Sequence, residues 1–81
     1  MNFSTLKSEI KGEAIKDAAI FVDENGESFD RNGSGEYEVI SVREYLKQRG
    51  INYNELPEDQ YNELIELYTE TIATESESLV A

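Results

Sequence analysis

EYEVISV, residues 36–42, alternates along its length: Tyr37, Val39 and Ser41 fall on one side of an extended chain, and Glu36, Glu38 and Ile40 on the other. Strand side chains repeat every two residues, and aromatic and β-branched residues suit a pleated surface. The segment is therefore expected to be a strand. Just before it, NGSG (32–35) reads as a tight turn and ESFDR (27–31) as a short strand. Asn25-Gly26 is a hairpin signal, and AAIFVD (18–23) reads as a further strand. Three short runs joined by two tight turns make an antiparallel meander.

Helices flank this meander. Asn2 or Ser4 can cap a first one, with Phe3, Leu6 and Ile10 at helical spacing and Gly12 as its expected stop. The same pattern also runs on through Ala14 and Ala18, with Gly12 inside; the stop is preferred. Ser41 can cap a short second helix ending at Gly50. Pro57 opens a third, expected to run from about Pro57 to Ala73. The expected fold class is α+β: a small three-stranded antiparallel sheet packed with helices, in the order α-β-β-β-α-α. Residues 1–81 form a single small domain, of which 74–81 are expected to fray.

The chain has no Cys and no His, and its net charge is −11. Nucleophile–base pairs of the Ser-His or Cys-His kind are excluded, and an enzyme is not expected. No cofactor motif is present. Direct nucleic-acid binding and adhesion to anionic membranes both need Lys and Arg, so neither is expected. A basic protein is the natural partner. No apolar run is long enough to span a membrane, and a cytoplasmic location is expected.

The charge is uneven. Residues 1–49 hold ten acids and seven bases, whereas 50–81 hold eight acids and no base. On a helix turning about 100° per residue, Asp59, Glu63, Glu66 and Glu70 share one narrow stripe. Tyr61, Leu64, Ile65, Tyr68 and Ile72 lie nearly opposite and are the expected core face. Like charges four residues apart are mildly destabilising, so helix stability does not select this stripe. Carboxylates about 5–6 Å apart on one helix face match the scale of phosphates along a DNA strand. Such a row suits a groove whose Lys and Arg normally hold a nucleic-acid backbone. Glu36 and Glu38 are expected to assist. The plain alternative is a solvated face that maintains solubility.

Two further readings stand beside this one. DRNGSGEYEVIS (30–41) resembles a calcium loop, with Asp30, Asn32, Ser34, Gly35 and Tyr37 at the matching positions. Its twelfth position is Ser41 where a bidentate Glu is needed, so a Gly-rich turn is the preferred reading. The other is a general interaction module anchored on Tyr53, Tyr61 or Tyr68, with acids only at the rim.

The element order and several phrases resemble the small acidic anti-CRISPR proteins of phages and prophages. The resemblance rests on Met1, Asn2, Leu6, Glu9, Ile10 and Lys11 at the start. It continues through a Gly-bearing turn into Glu36, Tyr37, Val39, Ile40 and Ser41. It implies a protein that imitates DNA and blocks the duplex site of an RNA-guided nuclease, in a host cytoplasm. The expected function is thus a non-enzymatic inhibitor that occupies the basic groove of a nucleic-acid-binding protein, a CRISPR effector among the candidates.

Overall fold

The fold, taken from a computed structural model, is described for residues 2–33 and 35–81. Three helices account for most of it: α1 (Phe3–Asn25), α2 (Glu36–Gln48) and α3 (Glu58–Val80), with a 3₁₀ turn at Tyr53–Glu55. Among the described residues there is no strand, so the expected α+β sheet is replaced by an all-helical bundle.

Two glycines and one burial period account for the difference. Asn2 caps α1 as expected, its side chain accepting the Thr5 N–H at 2.8 Å. The helix does not stop at Gly12, which lies exposed within it, but continues through the residues read as the first strand. It ends at Gly26, whose φ of 71° places it in the left-handed region that closes a helix. The Asn25-Gly26 pair thus works as a helix stop and not as a hairpin turn. Its amide donates to the Val22 carbonyl at 2.7 Å.

EYEVISV is the first half of α2. Burial there recurs every fourth residue, at Glu38, Val42 and Leu46, which is the helical repeat and not the strand repeat. Ser41 accordingly lies inside the helix and does not cap it; the N-terminal boundary is Gly35, at φ 79°. Gly50, at φ 74°, follows the helix where a stop was expected. ESFDR forms no strand. Its Phe29 is buried instead, edge-on to Phe21 at 5.4 Å and beside Tyr37 at 5.7 Å. The Phe29 N–H donates to Ser76 Oγ at 2.8 Å. That contact lies beyond the expected end of α3. Residues 74–80 are helical and Ser76 is fully buried, so the expected frayed tail is not observed.

Lys7 reaches Glu63 and Asp17 reaches Tyr68, so α1 and α3 run parallel. Glu9 meets Tyr45 and Arg49, near the far end of α2, which therefore runs against both. The core joins Leu6, Ile10, Ala14 and Ala18 of α1 to Val42 and Leu46 of α2 and to Leu64, Tyr68, Ile72 and Ala73 of α3. The α1 residues repeat every four positions, and their alanines leave room for the larger side chains of α3. Among the described residues, no helix is long and apolar enough to cross a membrane.

Candidate partner-binding surface

Because α3 is one unbroken helix, Asp59, Glu63, Glu66 and Glu70 do share one face, over about 16 Å at the helical rise. All four are exposed, and the face is flanked by cations of α1 and of the loop after it. Lys7 and Lys11 of α1 border the same shallow groove as Glu63, Glu66 and Glu70. Lys7 Nζ lies 3.1 Å from Glu63 Oε2. Arg31, from the loop after α1, donates to both Glu70 oxygens at 2.9 and 3.1 Å and stands 3.6 Å from Glu77. The like-charge repulsion along α3 is thus relieved by cations from elsewhere in the chain. Asp59 and Glu66 are exposed and have no ion-pair partner among the described residues.

The two assisting acids separate. Glu36 is exposed in the first turn of α2. Glu38 is only 9% exposed, with Oε1 folded back to 3.6 Å from where a Gly35 Cβ would stand. It lies in the first turn of its own helix, where the helix dipole favours a carboxylate. It is unavailable to a partner.

The three candidate anchor tyrosines also part company. Tyr68 is buried and donates to Asp17 Oδ2 at 2.7 Å, so it belongs to the core. Burial, with the neighbouring Asp17, pushes its phenol well above the ordinary tyrosine range. Tyr37 is raised in the same direction, by burial and then by Asp17 and Glu24. Tyr45 is raised by burial and by its hydrogen bond to Glu9. Tyr53 and Tyr61 stack with centroids 5.6 Å apart. Arg43 lies over Tyr53 at 4.1 Å and donates from Nε to the Tyr61 hydroxyl at 2.7 Å. This cation–π stack was not foreseen from sequence, because its three members come from α2, the 3₁₀ turn and α3.

In the loop that resembles a calcium site, Asp30 Oδ1 accepts the Asn32 N–H at 2.9 Å and the Asp30 carbonyl accepts the Gly33 N–H at 3.1 Å. Ser34 lies outside the described residues. The preceding helix ends at Asn25, and Ser41 is carried into α2. No group of three or more acidic side chains among the described residues is arranged to hold a metal ion.

Lys7 and Lys11 each follow a core residue, Leu6 and Ile10, and that register is a signal in the sequence. Charges beside core positions border a helix–helix seam, so they meet whatever charge flanks the facing helix. Arg31 sits in an irregular loop and carries no such signal. No family model, no curated protein sequence and no solved structure matches this chain.

Proposed function

We propose that this protein is a non-enzymatic acidic inhibitor that occupies a basic, nucleic-acid-binding groove on a partner protein. One observation carries the reading: α3 presents its acids along a single continuous helix face, and no Lys or Arg follows Arg49 in the chain. The exposed carboxylates Asp59 and Glu66 are the members of that row with no counter-ion among the described residues, and they are the primary contacts. Glu63 and Glu70 act once a partner's cations compete with Lys7 and Arg31. Exposed ion pairs of this kind are worth about 0–1 kcal/mol each, so such an exchange is inexpensive. Glu36 contributes from the N-terminal end of α2, and Glu38 drops out of the set. The narrower attribution to an anti-CRISPR protein loses the strand order on which it partly rested. The one-sign face of α3 is independent of that order.

The test is a pull-down from bacterial lysate, eluted with a salt gradient, followed by competition with duplex DNA. A captured basic protein should be released by moderate salt and by DNA. The double variant D59K/E66K should lose capture while keeping its helical circular dichroism. Capture that survives both the charge reversals and the DNA competitor refutes the reading.

A further inference from the structure

A second surface lies on the outer side of α2. Ile40, Arg43, Glu44, Lys47, Ile51 and Tyr53 line a cleft of about 560 Å³, predominantly apolar, between α2 and the connector that follows it. Ile40 is 64% exposed, the most exposed large hydrophobic residue described. Ile51 and Tyr53 form the opposite wall and are half-buried against the core. Four of the chain's seven cations, Lys7, Lys16, Arg31 and Arg49, stand against carboxylates. Of the other three, Arg43 and Lys47 both border this one cleft. They sit four residues apart on the same helix face, a like-charge spacing that mildly destabilises a helix. The exposed Ile40 and these two cations thus share one cleft on a chain whose net charge is −11.

We infer that this cleft docks an acidic amphipathic helical segment of a partner protein. Apolar side chains of that segment one helical turn apart enter between Ile40, Ile51 and Tyr53, and its carboxylates meet Lys47 and Arg43. Charge complementarity selects this occupant. The cleft's two cations outnumber its one carboxylate, Glu44, whereas a basic segment is drawn more strongly to the acidic remainder of the surface. Arg43 is already held in place by Tyr53 and Tyr61, so little side-chain freedom is lost when a carboxylate reaches it. The inference is independent of the acidic face of α3, since none of its residues lies on that stripe.

The test uses two synthetic helical peptides on one scaffold, each with Leu at i and i+4, flanked by Glu in one and by Lys in the other. Each is titrated to millimolar concentration into the isotopically labelled full chain. The Glu peptide should shift the amide resonances of Ile40, Lys47, Gly50 and Ile51, and K47E should weaken it at least about threefold. I40A should weaken it as well, and as an exposed position it leaves the fold intact. Equal or tighter binding of the Lys peptide at these resonances overturns the inference, as does no shift there with the Glu peptide. Shifts that follow protein concentration without any peptide assign the cleft to a second copy of the chain and equally overturn it.

Discussion

Gly12 sits in mid-helix with φ outside the left-handed region, and a Cβ built on it meets nothing within 4 Å. Glycine in such a place weakens a helix by about 0.5–1 kcal/mol relative to alanine. G12A should therefore raise stability by that amount in urea denaturation. G26A should lower it, because Gly26 holds φ 71° at the end of the same helix. Tyr68 supplies a second test at this scale. Its phenol ionises near pH 10 in the unfolded chain and higher in the fold. The resulting stabilisation is complete below about pH 10 and is lost as pH rises toward the folded value. Urea midpoints should fall above about pH 10, and Y68F should show a shallower fall. At neutral pH the same variant leaves Asp17 without its donor and should lose about 1–2 kcal/mol.

Among the elements, the loop between α1 and α2 depends most on distant residues. Phe29 plugs the bundle end, and its amide is satisfied by Ser76, forty-seven positions away. S76A should cost about 1–3 kcal/mol by leaving that buried amide unpaired. It should also speed hydrogen exchange at Phe29 more than at Leu64, the signature of a loop released before the bundle opens. Equal acceleration at both sites would mean that the loop and bundle open together. This contact also marks where the sequence ceases to be legible. The Asn2 cap, the Leu6–Ile10 face, the Gly50 stop, the start of α3 and its Leu64–Tyr68–Ile72 face are local signals and were readable. EYEVISV was not, because seven residues hold both a strand alternation and the helical pair Glu38 and Val42. The residue that separates them, Leu46, lies outside the window. Asn25-Gly26 was ambiguous in the same way, since a left-handed glycine closes a hairpin or a helix equally well. The acidic stripe on α3 was legible as a stripe. Its neutralisation was legible only in part: Lys7 beside Leu6 marks a helix seam without saying which helix faces it, and Arg31 lies in an irregular loop.

At the scale of the whole molecule, two electrostatic terms oppose each other. The described ion pairs each have at least one partner whose side chain is 38% or more exposed, and such pairs contribute about 0–1 kcal/mol apiece. Against them stands a net charge of −11 confined to a body 37 × 23 × 18 Å in extent. At 0.1 M salt the screening length is about 10 Å, shorter than every one of those dimensions. Salt therefore removes the repulsion summed across the body more completely than it removes contacts near 3 Å. The melting temperature should rise as sodium chloride goes from a few millimolar to about 0.2 M. A fall would mean that the ion pairs outweigh the repulsion, and K7Q and R31Q would then identify which pair dominates. If α3 imitates a nucleic-acid backbone, the same salt range must weaken capture of a basic partner while it firms the fold. Measuring both over one salt series distinguishes the two causes of a lost complex: unfolding would lower both curves together, whereas screening of the interface moves them in opposite directions.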